Sequence, residues 1–260
     1  FRSRFLARRS LDTIRSVDIL IWALIWINVV GLGPFAGALA IMTSDIGSFG
    51  KIERPANPIQ ATYTRDPVQD GEREVTVRRV GETAYVGAVY HVPSGTHPDA
   101  AALDLLSEML GHTPTGRLHK ALVEKGLATQ VGGFGFSLAE PGALLFFGEV
   151  PKGGDIAALR AQLLGLIEAR GDSAFTAEEI ESAKTCTLKN IELTVNDANR
   201  LAMALSESIA QGDWRLFFLQ RDRIEEVTLD DVNRVAAAYL KPSNRTFGQF
   251  IPTAQPDRAE

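Results

Sequence analysis

The stretch from Tyr85 to Phe136 constrains the fold most, because strand, helix and turn signals follow one another there in a tight order. Tyr85–Val92 is a short apolar run of the kind that forms a buried strand. Pro98 then opens a helix near its first position and Gly111 closes it. A second helix is expected from Thr115 to Lys125, ended by Gly126. Two more strands, Ala128–Phe136 and Ala143–Val150, flank a turn at Pro141 and Gly142.

The flanking sequence extends this pattern. Glu74–Val80 alternates apolar and polar residues and predicts a half-buried strand, with a turn at Gly81 and Glu82. Asp155–Arg170 carries Ile156, Leu159, Leu163, Leu166 and Ile167 as a helical stripe. Thr176 and Glu179 have the spacing of a capping box, and the helical pattern they start runs to about Ala210. Trp214–Arg223 is a short aromatic segment, Thr228 and Asp231 start a last helix ending near Tyr239, and Thr246–Ile251 predicts a final strand. Strands and helices in blocks, without strict alternation, indicate an α+β fold. The expected architecture is one αβ domain whose antiparallel or mixed sheet packs against helices.

The first part of the chain differs. Arg2, Arg4, Arg8, Arg9 and Arg15 precede an uncharged run from Ile19 to Ser44. The run is long enough for a bilayer, which needs ~20 apolar residues. The arginines before it would place the N-terminus inside. The bland alternative is a buried helix broken at Gly31, Gly33 and Pro34. The expected boundaries are an Arg-rich leader and hydrophobic segment over 1–47, a proline-bearing linker over 48–70, the αβ domain over 71–253, and the start of a further linker over 254–260. The net charge of −5 gives no reason to expect nucleic acid as a partner. With one cysteine, Cys186, an internal disulfide is impossible and cysteine-based zinc sites are taken to be excluded.

Candidate chemistry is sparse. Asp104, Ser107 and Glu108 lie at i, i+3 and i+4 and share one helix face. A His-x-x-Glu-His helix uses that spacing to hold zinc with two imidazoles and a general base. Asp, Ser and Glu make a poor zinc set, and the better expectation is an exposed acidic helix face. His91, His97, His112 and His119 are expected to be ordinary surface or hydrogen-bonded histidines, with His112 beyond the helix end. Ser107 lacks a positioned base and is not expected to act as a nucleophile. Gly31, Gly33 and Gly37 imitate part of a dinucleotide fingerprint, but no strand precedes them and Pro34 removes a needed N–H. Gly132, Gly133, Phe134 and Gly135 form a candidate peptide-contact strand, set against the commoner reading that strand glycines mark a bulge or a close backbone approach.

From about Phe49 onward the chain resembles the pitrilysin/insulysin family of zinc peptidases, most closely the second, non-catalytic αβ domain of bacterial members. The resemblance rests on Phe49–Ile52 with Arg54 and Pro55, the Tyr85–Gly126 block, Thr228–Val232, Tyr239–Arg245 and Phe250–Arg258. It implies a duplicated αβ fold in which one domain carries the zinc helix and an opposite one supplies an Arg and a Tyr that orient peptide. Asp104, Ser107 and Glu108 stand where the zinc helix would have its ligands. Leu122 or Val123 stands at the Arg position and Thr129 at the Tyr position. The resemblance therefore implies no catalytic residue and no metal ligand in this chain, with zinc in a partner catalytic domain. Its work would be to support that domain and wall the peptide chamber, in the periplasm or cell envelope. Alone it would neither bind zinc tightly nor cleave peptides. Its expected partners are the catalytic domain or second half of the same peptidase, a peptide substrate and, through Ile19–Thr43, a membrane. A different class, a membrane-anchored scaffold subunit without proteolysis, is the alternative.

Overall fold

The computed structural model describes residues 19–30, 39–43, 68–171 and 175–255. The chain divides into two compact units, Phe1–Asp66 and Pro67–Glu260.

In the first unit, helix α1 spans Ile19–Val30 and residues 39–43 are also helical. The Trp26 indole donates to Thr43 Oγ1 at 3.0 Å. Twelve residues rise about 18 Å, short of the ~30 Å hydrocarbon layer. Among the described residues no helix is long and apolar enough to cross a membrane, and residues 31–38 of the run expected over Ile19–Thr43 lie outside the described residues. The rest of the leader, and the linker to Pro67, lie outside the described residues.

The second unit is the α+β domain. Its strands are β1 (Arg73–Val80), β2 (Ala84–Val92), β3 (Gln130–Phe136), β4 (Gly142–Val150) and β5 (Arg245–Thr253). They form one sheet in the order β1-β5-β2-β4-β3. β1 and β5 are parallel and the other pairs antiparallel. The helices are α2 (Ala100–Gly111), α3 (Ile156–Ile167), α4 (Ala177–Val195), α5 (Ala198–Gln211), α6 (Leu216–Glu226) and α7 (Leu229–Tyr239).

Strand alternation separates two faces. Val86, Ala88 and Tyr90 of β2, Leu144 and Phe146 of β4 and Phe247 of β5 point into the core, where Leu105, Leu106 and Leu110 of α2 and Leu159 and Leu163 of α3 meet them. On the opposite face Tyr85, Phe147 and Phe250, with Val75 and Val77 of β1, surround an apolar hollow over Gly87 and Gly248. The expectation of a half-buried β1 fails, since all eight of its residues are exposed. β1 is an edge strand with only β5 beside it, and polar Glu74 and Thr76 occupy its other face, held by Arg160 and Gln249.

Local signals account for most boundaries. The capping boxes at Thr176 with Glu179 and at Thr228 with Asp231 are both formed. The long helix expected from Thr176 is two helices, because Asp197 caps a new one by accepting from the N–H groups of Asn199 and Arg200. α2 starts at Ala100, two residues after Pro98. In place of a regular second helix over Thr115–Lys125 there is a short wide turn at His119–Val123, with Glu124 N–H donating to His119 C=O.

The deepest polar group fastens the sheet to the helices. Arg245 is 7% exposed. It donates to Glu168 beyond the end of α3 and to Glu72 ahead of β1, while the buried Tyr90 hydroxyl donates to the same Glu168 oxygen at 2.8 Å. Burial, with the adjacent Glu168 carboxylate, pushes the Tyr90 phenol far above its usual range, so it remains a hydrogen-bond donor.

Candidate functional site

α2 lies against β3, α4 and α6, and this packing decides what its polar face can do. Asp104, Ser107 and Glu108 share a cleft of 450 Å³ with Gly133, Phe134 and Gly135 of β3. Thr187 and Ile191 of α4 and Phe217, Gln220 and Ile224 of α6 complete its wall. Two groups of residues far apart in sequence, the degenerate helix positions and the glycine-rich strand, thus meet at one place.

The expected exposed acidic face is not what the fold produces. Ser107 is 9% exposed, and neither Asp104 nor Glu108 is fully exposed. The Gln220 side-chain amide donates to Asp104 Oδ2 at 2.8 Å. Burial pushes the Asp104 carboxyl up to about 6, against the opposing pull of hydrogen bonds from Gln220 and Ser137. The face turns inward because α6 and α4 cover it, and sequence spacing along α2 carries no signal of those later helices.

β3 is an edge strand paired only with β4 in the described sheet. Its Phe134 and Phe136 are 53% and 50% exposed, and the Phe134 ring stacks on Phe147 at 5.9 Å. Packing explains two of its glycines. A Cβ on Gly132 would come within 2.5 Å of the Phe147 ring. A Cβ on Gly111 would come within 2.4 Å of the Gly133 backbone, so the end of α2 and β3 approach main chain to main chain. Gly135 has room for a side chain, its nearest neighbours being Leu144 at 3.4 Å and Asp104 at 3.8 Å. The close backbone approach holds for Gly133, while Gly132 is confined by the Phe147 ring, and the strand's outer edge is free of any described partner.

Leu122, one of the two residues expected at the position of the orienting Arg, is fully buried in the core, and Val123 is half-buried against it. Thr129 donates from its hydroxyl to the Glu149 carbonyl at 3.4 Å. None of the three offers a charged or phenolic group to a substrate. Of the histidines, His97 Nδ1 accepts from the Asp99 N–H at 3.1 Å. Asp99 in turn is gripped by Arg234 at 2.9 Å and the Tyr239 hydroxyl at 2.9 Å. Burial alone would raise the Asp99 carboxyl, but those donors outweigh it and hold it low. His112 caps α2, with Nδ1 2.7 Å from Thr115 Oγ1 and Nε2 facing Glu108 and Cys186. Sequence reasoning placed His112 outside the helix and gave it no partner. The i, i+4 spacing of Glu108 and His112 was the available signal, and Cys186 on α4 was beyond local inference. Burial and the Glu108 carboxylate push the Cys186 thiol up, which is unfavourable for a nucleophile.

Comparison with known proteins places the chain beside peptidase domains described as inactive. The sequence model described as the peptidase M16 inactive domain matches residues 38–185. That match begins ahead of Phe49, where the resemblance read from the sequence starts. The zinc protease PqqE of Helicobacter pylori is 29% identical over 196 residues, which cover 72% of this chain and 43% of PqqE. The chain thus corresponds to less than half of that curated relative. Among solved structures, the inactive peptidase domain of a candidate zinc protease from Bordetella parapertussis is 44% identical, with a TM-score of 0.63 over 70% of this chain and 98% of its own. A Helicobacter pylori protease superposes with a TM-score of 0.77 at 22% identity, covering 85% of this chain and 54% of its own, a likeness of fold. The chain belongs to the M16 peptidase inactive domain family.

Proposed function

We propose that this domain serves proteolysis by a zinc-bearing catalytic domain, as structural support and as one wall of the peptide chamber. The observation that carries the reading is the shared cleft, where the α2 positions Asp104, Ser107 and Glu108 adjoin the free edge of β3. The carboxyl, hydroxyl and carboxyl there form neither a tetrahedral zinc set nor a nucleophile–base pair. The edge strand offers unpaired main-chain groups to an extended peptide, with Phe134 and Phe136 as apolar contacts. The apolar hollow around Tyr85, Phe147 and Phe250 is a second surface for the partner domain or its substrate. The catalytic zinc belongs to the partner, where it activates the water that attacks the amide. The likeness to the Escherichia coli periplasmic protease PqqL, 19% identical, lies in the fold, and the periplasm is the compartment we assign by that analogy.

Two measurements test this. A fluorogenic peptide library incubated with the purified full chain and zinc should show no turnover. Chelator-sensitive hydrolysis, lost on substitution of Asp104 or Glu108, would sink the proposal. In an amide-resolved titration with unstructured peptide, resonances of Gly133–Phe136 should shift first. Shifts confined to other elements would remove the edge-strand role.

A further inference from the structure

A cluster at the C-terminal end of α2 lies outside the proteolytic reading. Glu108, His112 and Cys186 place a carboxylate oxygen, an imidazole nitrogen and a sulfur within 4.8 Å of one another. Glu108 and His112 are one helical turn apart and stack on the same face. Cys186 comes from α4, which packs across α2.

The two spacings from the imidazole are close to those of a shared ion. His112 Nε2 lies 3.5 Å from Glu108 Oε1 and 3.6 Å from Cys186 Sγ. A tetrahedral zinc with bonds of about 2.0 Å to N and O and about 2.3 Å to S sets N and O about 3.3 Å apart and N and S about 3.5 Å apart. The carboxylate–imidazole distance is long for a hydrogen bond, and Glu108 Oε1 is buried with only His112 and the Cys186 thiol facing its carboxylate. A buried carboxylate served only by a weak thiol donor and a distant imidazole is under-satisfied, and a cation would satisfy it. Thr115 Oγ1, 2.7 Å from His112 Nδ1, orients the ring so that Nε2 faces the other two groups, as outer partners of metal-bound histidines do. A cavity of 180 Å³ lined by Lys120, Glu178 and Ser182 adjoins the three groups and leaves room for water as a fourth ligand. Of the other charges nearby, Glu179 is occupied by Arg117 at 2.7 Å, and Lys189 stands one turn along α4 from Cys186.

We propose that Glu108, His112 and Cys186 form a mononuclear site for a divalent ion of the zinc class, which clamps the end of α2 to α4. The mixed O, N, S set suits zinc and excludes magnesium and calcium, which take oxygen ligands. The expectation that a single cysteine excludes any cysteine-based zinc site overlooked a mixed set with one thiolate. The site uses only Glu108 of the degenerate positions and does not restore a peptidase centre. It departs from the expectation that this chain binds no zinc, and is independent of the chamber-wall role.

The test is cobalt(II) titration of the full chain after chelator treatment. One equivalent should produce a thiolate-to-metal charge-transfer band with d–d bands of tetrahedral intensity, both abolished by added zinc. Cys186→Ser should remove the charge-transfer band, and His112→Gln should weaken zinc at least about tenfold. Thr115→Val should weaken it about tenfold with the spectrum retained. Absence of the charge-transfer band in the native chain overturns the proposal, and that result needs no variant to fold. So does zinc affinity unchanged in Cys186→Ser, or a spectrum requiring thiolates from two chains. No outcome involves peptide hydrolysis, so this proposal and the chamber-wall reading fail separately.

Discussion

The two faces of the sheet are built from similar residues but to different ends. On the helix-covered face the large side chains Tyr90, Phe146 and Phe247 are fully buried, and the polar groups among them are paired. On the open face and the β3 edge, Tyr85, Phe134 and Phe136 are 42%, 53% and 50% exposed. Aromatic groups half in water and gathered in one region are the kind of exposed apolar patch that marks a surface for contact, as proposed above. The covered face carries the stability, and the open face is where contact with other molecules is expected to register.

The sharpest way to break this comparison is to remove the buried cation of the covered face. Arg245→Met leaves Glu168 confined beside the fully buried Tyr90 without its counter-charge. Losing one partner of a buried pair costs about 3–5 kcal/mol. The urea midpoint should fall accordingly, with little change in slope. The double variant Arg245→Met with Glu168→Gln should recover part of that loss, because it removes the stranded charge. A loss below about 1 kcal/mol would mean that the pair is solvated like a surface salt bridge.

How much of this was legible beforehand depends on the distance over which each feature is determined. Thr176 with Glu179 and Thr228 with Asp231 could be read directly, because a capping box is written within four residues. The five strands could be read for the same reason, from period and turn residues. The exposure of β1 could not, because its alternating sequence is the same whether or not a helix covers it. Nor could the inward turn of Asp104, which depends on Gln220, 116 residues away. The cluster of Glu108, His112 and Cys186 shows both cases at once. Its i, i+4 half is local and its third member arrives only through helix packing. The pairing of Gly111 with Gly133 is likewise tertiary, although glycine at both places was visible.

Asp104 lies at the boundary between the two regions and gives a smaller, pH-dependent effect. Its carboxyl is raised from 3.8 to about 6, so the fold favours the protonated form. Stability therefore falls as pH rises between those values and stays lower above them, because the native state binds the extra proton only below about 6. Asp104→Asn keeps an acceptor for Gln220 and removes the titration. The variant should match the parent near pH 4 and exceed it by about 1–2 kcal/mol at pH 7.5, allowing for the part of the residue open to the cleft. Parallel stability–pH curves for the two proteins would show that the carboxyl is solvated in the native state.

The smallest effect on stability should come from the open edge, and there the comparison is at its most informative. Phe136 is half exposed already, so Phe136→Ser forfeits little burial, and the unfolding free energy should change by no more than about 0.5–1 kcal/mol. Phe134→Ser should cost slightly more, because its stacking on Phe147 adds about 0.5–1.5 kcal/mol. Peptide affinity should rank these variants differently from stability. The exposed half of each ring is the area a bound strand would cover, worth about 1 kcal/mol, or about fivefold in Kd. If both variants bind peptide as the parent does, the half-exposed rings of β3 serve a docked domain, and the chamber wall would have to be sought at the hollow around Tyr85 and Phe250.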